Sequence, residues 1–108
     1  MLTYRAPLRD MHFVLHELLG LPELTKLPAF NMATRDLVDA VLGEGARFCE
    51  RELLPLAASG DAEGCRYEND VVRTPEGLAS AYGRFREGGW PGLACDPAVG
   101  GQGLPDWK

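Results

Sequence analysis

Cysteine and histidine are scarce in this 108-residue sequence, with three of the first and two of the second. Cys49, Cys65 and Cys95 are an odd number, and no two of them form a C-x-x-C pair. That argues against a disulfide framework or a cysteine zinc site, and three reduced thiols suit a cytoplasmic protein. A basic excess is also missing: eleven Lys and Arg face sixteen Asp and Glu, for a net charge of -5. The arginines are scattered among acids, so no basic face is present to displace counterions from phosphates. A nucleic-acid partner is not expected. No apolar run approaches the roughly 20 residues that cross a bilayer. The opening stretch, Met1 to Pro7, lacks the apolar core of a signal peptide.

What is present is ordinary globular composition, 45% hydrophobic and 25% charged. The length suits one domain, and a unit this small buries only about two-thirds of its unfolded surface. Pro7 to Leu19 reads as a short amphipathic helix with Leu8, Met11, Leu15, Leu18 and Leu19 on one face, stopped by Gly20 and Pro22. Leu21 to Asn31 is a connector with room for another helical turn. A second helix is capped by Thr34 and runs to Leu54, with Pro55 marking its last turn. Val38, Val41, Leu42, Ala46, Cys49, Leu53 and Leu56 form its apolar stripe, and Gly43 and Gly45 weaken it. Gly60 to Gly64 reads as a turn-rich loop, and Cys65 to Arg73 as a small hairpin or extended turn about Asn69-Asp70. Thr74-Pro75-Glu76 is the expected start of a third helix carrying Leu78, Ala81, Tyr82 and Phe85, with Gly88-Gly89 as its end. The remainder is a glycine- and proline-rich loop, and no internal repeat is visible.

Few residues are arranged for chemistry. His12 and His16 share a helical face, but no third metal ligand is evident, so two partly exposed polar side chains are the expectation. Gly43-Glu44-Gly45 begins like a dinucleotide fingerprint, yet Phe48 stands where the third glycine belongs and no strand precedes it. Gly100-Gly101-Gln102-Gly103 has the glycines to cradle a phosphate through backbone N–H groups, without the lysine and hydroxyl of a P-loop. Ser59 and Ser80 lack a histidine–acid signature, and Asp61 and Glu63 read as a solvated loop. No catalytic residue and no metal site is assigned. Trp90, Leu93, Leu104 and Trp107, large side chains in a flexible segment, need a surface to bury against. Either they fold back on the helices or they pack against protein or ligand outside the chain.

Three blocks in order resemble the acyl-CoA dehydrogenases. The first is Tyr4-Arg5-Ala6-Pro7-Leu8-Arg9-Asp10-Met11 with Phe13-Val14-Leu15-His16-Glu17, similar to the extra N-terminal segment of a long-chain branch that includes 3-methylmercaptopropionyl-CoA dehydrogenases. The second is Leu53-Leu54-Pro55-Leu56, then Gly60-Asp61, Gly64-Cys65-Arg66 and Val71-Val72-Arg73-Thr74-Pro75. The third is Gly88-Gly89-Trp90-Pro91-Gly92-Leu93, Asp96-Pro97 and Gly100-Gly101-Gln102-Gly103-Leu104-Pro105. Gly43, Gly45 and Asn69-Asp70 depart from the pattern, and Asp106-Trp107-Lys108 carries no feature of it.

The resemblance implies a mainly α fold: an incomplete N-terminal helical domain with a short hairpin and a Gly-rich C-terminal loop. Residues 1–33 would be an N-terminal extension with one short helix, and residues 34–108 the start of the helical domain. It also implies a flavoenzyme that uses FAD to desaturate an acyl-CoA between its α and β carbons. A glutamate of a C-terminal domain would act as base, and an electron-transfer flavoprotein would accept the electrons. A homo-oligomer and a medium or long acyl group, or a thioether acid, are further implications. The catalytic base and most of the flavin site would lie outside this sequence, so the chain alone is expected to be inactive and free of FAD. By position only, Trp90, Leu93, Gly100, Gly101, Gly103 and Leu104 approach the wall of an acyl pocket. The alternative is a non-catalytic helical module, or a truncated remnant, that binds a partner through its exposed apolar tail.

Overall fold

The computed structural model describes residues 2–106. Helix α1 (Leu8–His12) passes directly into a π-helical stretch, Phe13–Leu18. Pro7 precedes it, where a missing N–H costs nothing, and its carbonyl accepts the Met11 N–H at 3.0 Å. The π turn closes with the Leu19 N–H donating to the Val14 carbonyl, five residues back, at 2.8 Å. Gly20, left-handed at φ 65°, then stops the helix as its sequence predicts. The buried face differs from the expected one. Met11, Leu18 and Leu19 are exposed, while Leu8, His12 and Leu15 are half-buried and His16 is buried. A bond from His16 to Asp39 of the next long helix sets this rotation, and apolar periodicity alone cannot register a polar contact of that kind.

The connector holds α2 (Leu21–Leu24) and a 3-10 turn at Pro28–Phe30, with Leu21 buried to 1% exposure. Then α3 (Arg35–Phe48), a π stretch (Cys49–Leu53) and α4 (Leu54–Glu63) form one continuous helical rod. Thr34 caps it as expected, its Oγ1 accepting the Leu37 N–H at 3.3 Å. Pro55 does not end it. A proline has no N–H for the carbonyl four residues back, and its ring crowds that carbonyl. Here the ladder widens just ahead of the ring, with the Leu54 N–H reaching the Cys49 carbonyl five residues back, so the helix passes the proline. The expected loop at Gly60 to Glu63 is therefore the last turn of α4. Gly64, at φ 65°, ends it, and its N–H closes on the Gly60 carbonyl at 2.9 Å.

Strands β1 (Arg66–Glu68) and β2 (Val71–Arg73) pair antiparallel with Tyr67 opposite Val72. Asn69 and Asp70 both take positive φ, 51° and 61°, the requirement of a tight two-residue hairpin turn. The Tyr67 hydroxyl donates to Asp70 Oδ1 at 2.7 Å across it.

Helix α5 (Leu78–Glu87) begins three residues after Pro75, the first helical position that the Thr74-Pro75 signal suggests. Thr74, Pro75 and Glu76 are used to dock the chain on α4: the Glu76 N–H donates to Glu63 Oε2 at 3.0 Å. Gly77 then turns left-handed at φ 85°, where an added Cβ would lie 2.8 Å from Leu56 Cδ2. That close approach, which the capping signature does not encode, sets the helix start. Gly88 and Gly89 end α5 as expected.

Few side chains are fully buried. Among the described residues Leu21, Ala33, Ala46 and Ala81 are the buried apolar ones, and His16 joins them. Phe48 packs on Phe85 and Trp90 with ring centroids 6.0 and 6.5 Å apart, and Arg84 Nε meets Glu52 Oε2 at 2.6 Å, so α5 is fastened to the rod. The body measures 54 × 35 × 20 Å with a radius of gyration of 17.2 Å, against about 13 Å for a compact chain of this length. Its accessible surface, 8184 Å², exceeds by about 2,300 Å² that of a folded monomer of the same mass. Leu18, at 69%, and Met32, at 77%, are among the apolar side chains left uncovered. The fold is mainly helical, with one hairpin, and consistent with part of an N-terminal helical domain.

Candidate functional site

An open groove of about 650 Å³ lies between the start of α3 and the C-terminal loop. Phe30, Leu37 and Val41 line one side, and Trp90, Leu93, Gly103 and Leu104 the other. Glu44 and Gln102 bring polar groups to its edge, so the lining is predominantly apolar. Four of the six sequence-assigned positions thus meet at one surface. The other two, Gly100 and Gly101, do not line it and act on the shape of the loop instead.

Trp90 organises this region. It folds back on the helices: its indole lies over α3 at Gly45, where an added Cβ would sit 3.5 Å from Cη2, and edges toward Phe48. Leu93 and Leu104 are half-buried beside it, whereas Val99 projects at 79% exposure. Trp107 lies outside the described residues.

The loop closes on itself through its backbone. Gly100 donates to the Pro97 carbonyl (3.1 Å), Gly101 to Asp96 (3.0 Å), Gln102 to Gly92 (2.9 Å) and Gly103 to Cys95 (2.9 Å). All four N–H groups are therefore used internally, and the phosphate cradle that their glycines suggest does not form. Gly101 is required by space: a Cβ there would stand 2.1 Å from the Cys95 carbonyl oxygen. Asp96 supports the same turn, its Oδ1 accepting the Ala98 N–H at 2.8 Å. Gly43-Glu44-Gly45 lies within α3, with Glu44 paired to Arg47 one turn on, and forms no nucleotide-binding turn.

Of the two histidines, His12 is partly exposed as expected and His16 is not. The His16 side chain is fully buried, with Nε2 2.7 Å from Asp39 Oδ1, and His12 Nε2 stands 3.5 Å from the same oxygen without hydrogen-bond alignment. His16 Nδ1 has no hydrogen-bond partner. The Asp39 carboxyl is held below the usual range, first by the His16 hydrogen bond, with burial opposing it and the nearby His12, His16 and Arg35 charges adding to it. Sequence reasoning missed Asp39. Its position beside Val38 and three residues before Leu42, at the margin of the apolar stripe, was the available signal. Among the described residues no group of three or more His, Cys, Asp or Glu is placed to hold a metal ion.

Cys49, Cys65 and Cys95 are all unpaired, the last two on the surface. The Ser59 hydroxyl donates to the Leu56 carbonyl and Ser80 Oγ accepts from Arg84 Nη1, so neither serine faces an imidazole. No helix among the described residues is long and apolar enough to cross a membrane.

No protein-family profile matches the chain. Two curated relatives do. The 3-methylmercaptopropionyl-CoA dehydrogenase of Ruegeria pomeroyi is 39% identical over 104 residues, spanning 96% of this chain and 18% of the relative. The broad-specificity linear acyl-CoA dehydrogenase FadE5 of Mycobacterium tuberculosis is 27% identical over 104 residues, 94% of this chain and 17% of the relative. The chain thus spans less than one-fifth of the length of either protein. In sequence it corresponds to the short N-terminal part of the acyl-CoA dehydrogenases.

Proposed function

We propose that this chain is the N-terminal part of an FAD-dependent acyl-CoA dehydrogenase, an enzyme that desaturates an acyl-CoA thioester between its α and β carbons. The observation that carries the reading is the 39% identity over 96% of the chain to 3-methylmercaptopropionyl-CoA dehydrogenase. The open architecture supports it. About 2,300 Å² of surplus surface is more than one partner contributes to an ordinary protein interface, as befits a segment that packs against further polypeptide.

On this reading residues 1–33 are an extension and residues 34–108 begin the helical domain. Trp90, Leu93, Gly103 and Leu104 supply an apolar wall beside the acyl group, and Gly100 and Gly101 hold that wall in shape. The Gly100–Gly103 loop offers no free N–H group to a cofactor phosphate, since all four are donated to carbonyls. The flavin and the catalytic base accordingly belong to other parts of the enzyme, and the 108-residue chain alone is inactive. An electron-transfer flavoprotein as electron acceptor, homo-oligomerisation and a cytoplasmic location go with the same reading.

The test is a chimera joining residues 1–105 to the corresponding downstream polypeptide of 3-methylmercaptopropionyl-CoA dehydrogenase. It should purify with bound flavin and reduce an artificial electron acceptor when given acyl-CoA, while the 108-residue chain shows no flavin absorbance. A folded, flavin-loaded chimera that no acyl-CoA can reduce would sink the proposal. So would stoichiometric FAD on the 108-residue chain.

A further inference from the structure

The way residues 2–19 are attached differs in kind from the rest of the body. The rod and α5 are joined by an aromatic cluster, Phe48, Phe85 and Trp90, and by the Arg84–Glu52 pair. The first helix has no fully buried apolar side chain. Leu8 and Leu15 are half-buried, and the buried residue is His16. Its polar attachment runs to two carboxylates of the rod. Asp39 takes His16 at 2.7 Å and stands 3.5 Å from His12, and Glu50 Oε1 accepts the Ala6 N–H at 3.0 Å. Asp39 and Glu50 are eleven residues apart, about three helical turns, and so lie along one side of the rod.

Directly after this helix the chain turns left-handed at Gly20, φ 65°, and then sinks Leu21, 1% exposed, into the body. Ala33, also 1% exposed, anchors the far end of the connector. A left-handed glycine turn is therefore followed at once by a fixed point. Segments with few buried apolar contacts are those that open separately from a fold's core.

We propose that residues 2–19 form an arm, hinged at Gly20 and latched to α3 by Asp39, that opens as a unit while the body held by Leu21, Phe48, Phe85 and Trp90 stays folded. Opening frees Leu8 and Leu15 in addition to the already exposed Phe13 and Leu18, so the arm can present an apolar face on either side. The groups facing the latch are few. His12 and His16 come from the arm, and Arg35 lies one turn before Asp39 on α3 itself. Asp39 is thus the carboxylate that bonds His16 and lies closest to His12.

Hydrogen exchange on the 108-residue chain at neutral pH tests this, comparing the natural sequence with Asp39→Asn, Glu50→Gln and the control Asp36→Asn. Loss of a charge-assisted bond should speed exchange of the Phe13–Leu19 amides about tenfold in Asp39→Asn, and less in Glu50→Gln. The α5 amides and the whole of Asp36→Asn, an exposed acid of the same helix, should be unchanged. If arm amides exchange only together with those of α3 and α5, or are no faster in Asp39→Asn than in Asp36→Asn, there is no separate arm and the proposal fails. If Asp39→Asn speeds exchange throughout the body, Asp39 is a core residue and the latch is likewise excluded.

Discussion

Trp90 rests its indole on Gly45, with Cη2 3.5 Å from where a Cβ would stand. That distance is ordinary van der Waals contact, so the glycine is a place where a methyl group fits. Gly45→Ala should therefore gain most of the helix-propensity difference, up to about 1 kcal/mol. Gly43→Ala should gain as much, because only the far end of Arg47, at 4.0 Å, lies near its Cβ position. Urea midpoints of the two variants measure this. A loss of stability in Gly45→Ala would mean that Trp90 sits closer than the geometry gives.

The loop glycines should respond in a different order. Gly101→Ala drives a methyl into the Cys95 carbonyl, 2.1 Å away, and backbone cannot yield as a flexible side chain does. A loss of about 1–3 kcal/mol is expected. Gly100→Ala meets open space but carries φ 88°, so its cost is backbone strain alone, about 1–2 kcal/mol. The more telling measurement is the environment of Trp90. Its fluorescence should shift in Gly101→Ala, where the loop must move, and stay unchanged in Gly100→Ala. To keep Trp107 from obscuring the signal, both variants are compared in a Trp107→Phe background.

Much of this was legible in the sequence, and the exceptions have a common cause. Thr34, Gly20, Gly88 and the Asn69-Asp70 turn act through their own backbone or the next three residues, and each appears where its chemistry points. Pro55 misleads because a neighbouring turn widens to admit it, and Thr74-Pro75 misleads because Gly77 must pass close to Leu56. His16 misleads because its partner is 23 residues away. In the groove, Trp90, Leu93, Gly103 and Leu104 were visible as large side chains and glycines needing a surface. Phe30 and Leu37 were not, since nothing local links the connector to the C-terminal loop.

Acid should act on Asp39 in a definite direction. Its carboxyl is held low by His16, so the folded state binds the proton less readily than the unfolded chain, whose Asp titrates near 3.9. A depressed pKa gives a contribution that is complete above the unfolded value and lost as pH falls through the lower folded one. From pH 5 downward, the stability difference between the natural sequence and Asp39→Asn should accordingly shrink below about pH 4. Urea titrations of both proteins at each pH give it directly. A difference that grows as the pH falls below 5 would reverse the assigned cause.

The surplus surface makes the last expectation the most general. An ordinary monomer of this mass exposes about 5,900 Å², and this one exposes 8184 Å² with Phe13, Leu18, Met32, Tyr67 and Val72 all more than half uncovered. Large apolar side chains left uncovered in this way either associate or capture an apolar dye. The 108-residue chain should therefore bind anilinonaphthalene sulfonate at neutral pH while its α5 amides remain protected, which separates a folded open surface from a molten state. In the chimera with downstream dehydrogenase polypeptide the dye signal should fall sharply, because the same area is now covered. If dye binding is as strong in the folded chimera, the uncovered faces are not the ones that further polypeptide occupies, and the fit of this segment into a larger enzyme would have to be sought on another surface.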